Sequence, residues 1–393
     1  MNRKTFFSGV AIGVAASVMS FVLLNTAAVA IGAKTKQDFS VDDKIDYISQ
    51  LLNSHYVEDV DNNALMDGIY YGMVDSIGDP YTTYLSAEQV KSFMESTEGS
   101  FYGIGVNVIT NKEDGSLTVI SPIAGTPAES AGILPGDVIK KVNETPISGM
   151  DSTEAIAMIK GANGTEVKIT VYRESEDKEI EFNIVRNAID VPSVAGEMLQ
   201  DDIAYIRLSG FKNNTYEQFV KEYDELMSKG AKGLVLDVRD NPGGVLNVVE
   251  KIADKLVGEG TLVYTIDKKG ERVDYTSDAE SVNVPLCILV NGNSASASEI
   301  LAGAVQDTGT GTLVGTQTFG KGLVQNLYSV PDGSAVKVTI QKYYTPRGVC
   351  IQGEGIAPDY VVELPEELKN ALVITHDEDT QLQKAIEVVN GEK

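Results

Sequence analysis

The sequence predicts a mixed α/β protein in which a helical N-terminal part, a small β-rich domain and a larger α/β core follow one another. Three observations predict it. Residues 40–98 space their apolar side chains at three and four, the period of helices. Residues 99–186 carry short alternating runs punctuated by glycine, proline and asparagine. From about Ile203, continuous apolar runs such as GLVLDVR and PLCILVN alternate with amphipathic stretches, as in a mostly parallel sheet buried between helices.

A chain of 393 residues has room for two or three domains. Its formal net charge of −25 argues against a nucleic-acid partner, because no basic stripe is available to displace counterions from phosphates. Cys287 and Cys350 lack C-x-x-C spacing, so neither a disulfide scaffold nor a metal site is suggested. Two unrelated thiols are expected, one of them buried in a strand. The chain starts with the basic MNRK, and an uncharged, largely apolar run then continues to Ala33. Basic residues, an apolar run and small residues at Ala28-Val29-Ala30 have the layout of an export signal. The run is long enough to span a bilayer. An N-terminal membrane segment over residues 1–33 is therefore expected, anchoring an extracytoplasmic protein, or a secreted one if cleavage follows Ala30. No later segment is long enough to span.

In residues 40–98, DDKIDYISQLLNSHYV and NNALMDGIYYGMVDSIG predict helices. GDPYTTYLSAEQ breaks the pattern and restarts a helix at Ser86, with Glu88 and Gln89 early in it. His55 falls in this part beside Tyr56, where a packing or surface role is expected. Between Gly99 and Arg186, FYGIGVNVIT, SLTVISPIAG, DVIKKVNETPI and TEVKITVYRE read as strands around two short helices, TPAESAGI and TEAIAMIKGA. In YGIGV (Tyr102, Gly103, Ile104, Gly105 and Val106) the alternate glycines let backbone N–H groups converge on a concavity suited to a carboxylate. The strand edge that follows can accept an extended peptide. Taken alone, GIG fits an idle glycine turn better. In the core, RDNPGG and NGNSASAS both fall at the carboxyl ends of strands, where ligands bind in open α/β sheets. Residues 366–393 return to a helical pattern.

The serines of NGNSASASEILAGAVQD raise the question of a nucleophile. Ser296 followed by Glu299 fits a capping box, a structural role. A serine at a helix N-terminus also has free N–H groups beside it that can hold an oxyanion. Spacing alone does not separate Ser294, Ser296 and Ser298. The chain has two histidines. His55 lies in a helical stretch and His376 in the acidic VITHDEDTQ, and neither setting suits a general base. A buried lysine can serve instead, because desolvation disfavours its ammonium form. GTQTFGKGLVQNLYSV offers Lys321 in an uncharged neighbourhood. An extended segment there puts Lys321, Leu323 and Gln325 on one face, so that the Gln325 amide can hold the lysine. GTQTFGKG also approaches the phosphate-binding G-x-x-x-x-G-K-S/T loop, but Gly322 replaces the hydroxyl and a hairpin around PDG follows instead of a helix. Nucleotide binding is set aside.

YGIGV, SPIAGTPAESAGILPGDVIKKVN and the helix near 153–160 together resemble a PDZ domain of the bacterial, circularly permuted kind. This implies that Tyr102 to Val106 bind the C-terminal tails of protein partners. DVRDNPGG, NGNSASASEILAGAVQD, GTQTFGKGLVQ and YYTPRGVCIQGEGIAPD resemble the signature segments of the C-terminal processing peptidases, or tail-specific proteases, over roughly residues 40–365. The resemblance implies a helical region at 40–98, an inserted PDZ domain at 99–186 and a ClpP/crotonase-like α/β peptidase core at 187–365, followed by a helical tail at 366–393. It further implies Ser296 as nucleophile, Lys321 as its base and Gln325 as the lysine's partner. The oxyanion hole would come from the N–H of Ala297 with that of Gly243 or Gly244. No cofactor is implied. Relatives are often homodimers or larger homo-oligomers, and the C-terminal tail could join such an interface. A PDZ scaffold without turnover is the alternative, but intact Ser296, Lys321 and Gln325 favour the peptidase.

Overall fold

A computed structural model describes residues 39–111, 115–368, 371 and 374–391. The expected membrane segment, residues 1–33, lies outside the described residues. Among those described, no helix is long and apolar enough to cross a membrane. The chain divides after Gly78 into two compact units.

The first unit contains two helices, α1 (Val41–His55) and α2 (Asn62–Asp75). The hydroxyl of Ser40 accepts the Asp43 N–H at 3.1 Å while the Asp43 carboxylate accepts the Ser40 N–H at 3.0 Å, closing the first turn of α1. Asp61 caps α2 in the same manner by accepting the N–H groups of Asn63 and Ala64. His55 is an exposed residue in the last turn of α1.

The second unit opens with a turn in which the Asp79 carboxylate takes the N–H of Tyr81 and the hydroxyl of Thr82. Strand β1 (Thr83–Leu85) and helix α3 (Ala87–Glu98) follow, the helix starting at the expected Ser86 with Gln89 completing its capping box. Gly99, at φ 72°, ends it in the left-handed conformation that favours glycine.

The chain then enters the β-rich domain through β2 (Ser100–Gly103) and leaves through β9 (Asn187–Asp190), which pair antiparallel. Between them lie β3 (Val106–Thr110), β4 (Leu117–Pro122), α4 (Pro127–Ala131), β5 (Val138–Val142), β6 (Thr145–Pro146), α5 (Ser152–Ile159), β7 (Glu166–Arg173) and β8 (Lys178–Val185). The sheet runs β3-β4-β5-β7-β8, all antiparallel, around a core that includes Ile104, Leu117, Val142, Ala155 and Ile169. Strand β3 is an edge strand, bonded to β4 alone among the described strands. One of its flanks therefore stays open for a further strand.

The core sheet runs β10 (Val194–Met198), β11 (Ile203–Leu208), β12 (Gly233–Asp237), β15 (Leu286–Val290), β16 (Thr312–Gly315) and β19 (Tyr360–Val361). All its pairings are parallel except β10 with β11. Every residue of β12 and of β15 is buried, which is why both read as unbroken apolar runs. Ile206, Leu236, Ile288 and Leu313 face one core, shared with α6 (Thr215–Ser228), α7 (Leu246–Leu256) and α8 (Ala297–Thr308). Tyr205, Val235, Cys287 and Val314 face the other way, where Leu382, Ala385 and Val389 of α9 (Thr380–Val389) cover them. Cys287 is thus the buried strand thiol that was expected. The described part of the C-terminal tail is helical only over α9, and its apolar stripe packs against the chain's own sheet.

Arg239, 9% exposed, ties that helix to the core. Its guanidinium donates to Asp237 at 2.7 Å, to both Asp379 oxygens at 2.8 and 3.0 Å and to Gln381 at 2.9 Å. An antiparallel second sheet joins β1, β18 (Ala335–Tyr344), β13 (Gly260–Asp267) and β14 (Arg272–Ser277), and β17 (Leu323–Ser329) forms the expected PDG hairpin with β18.

Candidate active site

The carboxyl ends of β12 and β15 bring the NPGG and SASAS turns together. Asn241, fully buried, stitches them. Its side chain donates to the Leu208 carbonyl and accepts the Gly243 N–H, each at 2.9 Å. Its own carbonyl accepts the Ala295 N–H at 3.0 Å and the Ser298 hydroxyl at 2.9 Å. The three serines now differ. Ser294 and Ser298 are 0% exposed, and their hydroxyls donate to the carbonyls of Val238 and Asn241. Ser296 is only half-buried and lines a cleft of about 640 Å³. Its backbone sits at φ 56° and ψ −111°, a left-handed conformation that costs a non-glycine residue about 1–3 kcal/mol. Glu299 holds this bend by accepting the Ser296 N–H at 2.8 Å.

Lys321 lines the same cleft and is half-buried. Burial holds its ammonium below the ordinary lysine range, and the charge of Lys337 adds to this, while Asp79 and Glu299 oppose it. Its Nζ lies 4.8 Å from the centroid of the Tyr81 ring, and among the described residues it shares no hydrogen bond with Ser296. Gln325 also lines the cleft, with a buried Nε2 that has no partner among the described residues. The segment differs from a simple extended face: β17 begins at Leu323, and its register with β18 shifts between Val324 and Gln325.

Gly243 (φ 100°) packs so tightly that a Cβ there would meet the Ala295 carbonyl at 2.7 Å and the Ser296 Cβ at 2.9 Å. Its N–H is already given to Asn241, whereas those of Gly244 and Ala297 have no acceptor among the described residues. In the β-rich domain, Gly105 (φ 82°) leaves no room for a Cβ, which would meet Thr126 at 2.5 Å. The carbonyls of Ile104 and Gly105 are taken by Ala128 and by Ile123 and Thr126, but their N–H groups have no acceptor among the described residues. Tyr102 lies exposed on β2, Gly103 is buried at its end, and Val106 opens the edge strand β3.

No histidine is among the residues that line the cleft. His376 lies 3.3 Å from Glu197, its ring beside Tyr205. The near-match to a phosphate loop has a plain physical obstacle, since the Glu299 carboxylate already occupies the Gly320 and Lys321 N–H groups. Sequence reasoning missed three participants: Glu299 beyond its cap, Tyr343 and Tyr81. Tyr343 is 1% exposed, with its hydroxyl on the carbonyls of Ser296 and Lys321. The motif YYTPRG contained it, but nothing in periodicity points a strand residue at two distant carbonyls.

A PDZ domain followed by a serine-type peptidase core is the class of protein that this fold defines. A model of peptidase family S41 matches residues 202–362, and one of the PDZ domain matches 103–184. A third, described as the activating protease CtpB N-terminal domain, matches 16–89. The carboxy-terminal processing protease CtpA of Bacillus subtilis is 36% identical over 93% of this chain and 78% of its own length. Carboxy-terminal-processing proteases of Bartonella bacilliformis and Synechocystis are 39% and 37% identical, over 82% and 81% of this chain and 75% of each relative. The chain belongs to the carboxy-terminal processing proteases of peptidase family S41.

Proposed function

We propose that this protein is a serine endopeptidase in which Ser296 is the nucleophile and Lys321 its general base. One observation carries the choice: of the three clustered serines, two have hydroxyls committed to buried carbonyls, and only Ser296 opens on the cleft. Lys321 Nζ swings from the Tyr81 ring to Ser296 and, as the neutral amine that its buried setting favours, takes the Oγ proton. The Oγ attacks the peptide carbonyl, and the N–H groups of Ala297 and Gly244, free of other acceptors, receive the oxyanion. The lysine returns the proton to the departing amine. Water then gives a proton to Lys321 as it attacks the acyl carbonyl, and the lysine passes that proton to the departing Ser296 Oγ, which releases the acid product. The unpartnered Gln325 amide is suited to orient the lysine during these transfers.

The turn from Tyr102 to Val106 is proposed to recruit substrate. Free N–H groups at Ile104 and Gly105 suit a terminal carboxylate, and the open flank of β3 suits the extended tail behind it. The basic, then apolar N-terminal run supports a site of action outside the cytoplasm, tethered to the membrane or released after Ala30.

Cleavage of an unstructured protein with an apolar C-terminus, by residues 34–393, tests the reading. Ser296→Ala and Lys321→Ala are each expected to fall by at least about 10⁴-fold while melting like the wild type. Full activity in Ser296→Ala would sink the assignment. Tail binding without cleavage by the wild type would favour the scaffold alternative.

A further inference from the structure

Ser296 and Lys321 come from different elements, one from the turn before α8 and the other from the turn before β17. Two buried groups span them. Glu299 is 0% exposed, and its Oε2 accepts the N–H of Ser296 at 2.8 Å and of Lys321 at 2.9 Å. Its Oε1 accepts the Thr318 hydroxyl at 2.6 Å and the Gly320 N–H at 2.7 Å. All four neighbours donate, which suits an acceptor-only group and would misfit an amide. On the carbonyl side, the Tyr343 hydroxyl reaches the Ser296 oxygen at 3.0 Å and contacts the Lys321 oxygen. One oxygen therefore holds both N–H groups, and one hydroxyl faces both carbonyls.

We propose that Glu299 and Tyr343 are positioning residues, a paired clamp that sets the separation of the Ser296 and Lys321 backbones and keeps Ser296 in its left-handed bend. The proposal rests on the dyad reading above. Glu299 meets the pair through backbone N–H groups alone, whereas the Tyr343 phenol also interacts with the Ser296 hydroxyl at the wall of the cleft; both are assigned to holding the pair in place. A misplacement of about 1 Å at such a pair costs roughly 100-fold in rate. Burial, and then the Glu299 carboxylate, keep the Tyr343 phenol well above its ordinary pKa, so it remains a donor throughout the working range. The groups that face Lys321 are Asp79 and Tyr81 from the turn before β1, Glu299 from α8, and Lys337 and Tyr343 from β18. Of these, Glu299 and Asp79 favour its charged form.

The full chain, purified in detergent, is compared with Glu299→Gln, Tyr343→Phe and Ser296→Ala, reading kcat, KM, the pH profile of kcat and the melting curve. Glu299→Gln is expected to lose roughly 100-fold in kcat and Tyr343→Phe roughly tenfold, with KM unchanged in both. Removing the Glu299 charge also lets Lys321 lose its proton more readily, so the acid limb of kcat moves to lower pH in Glu299→Gln but not in Tyr343→Phe. Wild-type kcat in both variants, or losses that only track a lowered melting temperature while the acid limb of Glu299→Gln stays in place, would overturn the clamp. If Glu299→Gln does not fold, Tyr343→Phe decides alone, since it removes one hydroxyl and keeps the ring. Continued cleavage by Ser296→Ala would instead overturn the dyad reading and take the clamp with it.

Discussion

The turn at Gly243 and Gly244 and the turn at Ile104 and Gly105 both use left-handed glycine to leave backbone N–H groups unpaired, yet they are braced in different ways. The first is held on every side: Asn241 takes the Gly243 N–H, Phe211 bonds the Gly243 carbonyl, and Ser296 and Ala297 pack against its Cα. The second is anchored by the buried Ile104 side chain, by Thr126 packed against Gly105 and by carbonyl bonds to Ala128, Ile123 and Thr126, but on its other flank it opens onto an unpaired strand edge. A turn that stabilises a transition state must not move, because its donors are useful only at a fixed place. A turn that captures and releases a tail gains from an open flank. On the proposed reading, the difference teaches that the same local chemistry serves turnover or recruitment according to what surrounds it.

Adding a methyl group to each turn is the sharpest way to break that contrast. Gly243→Ala is expected to lower kcat by about 10²–10³-fold, since the new Cβ collides with the serine turn and displaces the oxyanion donors. Steady-state kinetics would check it, and an unchanged kcat would remove that turn from the mechanism. Gly105→Ala is expected to act on recruitment instead. The new Cβ collides with Thr126 and displaces the N–H groups of the turn, so tail binding is expected to weaken by roughly tenfold, with kcat on a short peptide retained. Titration with a fluorescent tail peptide reads this directly, and an equal loss of kcat would erase the distinction between the two turns.

The smallest expected effect concerns pH. On the proposed mechanism Lys321 must be neutral to take a proton, so kcat rises as pH rises through its depressed pKa, below the range near 10.4 in which an ordinary lysine loses its proton. Lys337→Met removes a neighbouring positive charge that helps to depress it, so the acid limb should shift to higher pH. A limb that stayed in place would exclude Lys337 from tuning the base.

Much of this was legible in the residues. The period change at Gly99, the unbroken apolar strands β12 and β15 and the cap at Ser86 all follow from local rules. The serine choice did not, because a hydroxyl's commitment to the carbonyl of Val238 or Asn241 depends on a strand far away in the chain. Which of Gly243 and Gly244 keeps an N–H without an acceptor among the described residues was hidden for the opposite reason. Asn241, only two residues earlier, takes one N–H, and that depends on a side-chain angle that no pattern encodes. Tyr343 and Tyr81 reach Lys321 through tertiary folding alone. The stripe on α9 predicted a partner but could not say that the partner was the chain's own sheet.

Arg239 carries a consequence in time as well as space. It stands just before the NPGG turn, yet three of its bonds go to Asp379 and Gln381, far along the chain. A polypeptide that emerges N-terminus first exposes Gly243, Ser296 and Lys321 while that guanidinium still lacks its second carboxylate and the sheet still lacks the cover of α9. On the proposed reading, the cutting machinery is therefore complete only once the last helix has docked. Released chains ending before Asp379 should differ from the released full-length chain accordingly, the shorter form silent and the longer one able to cleave.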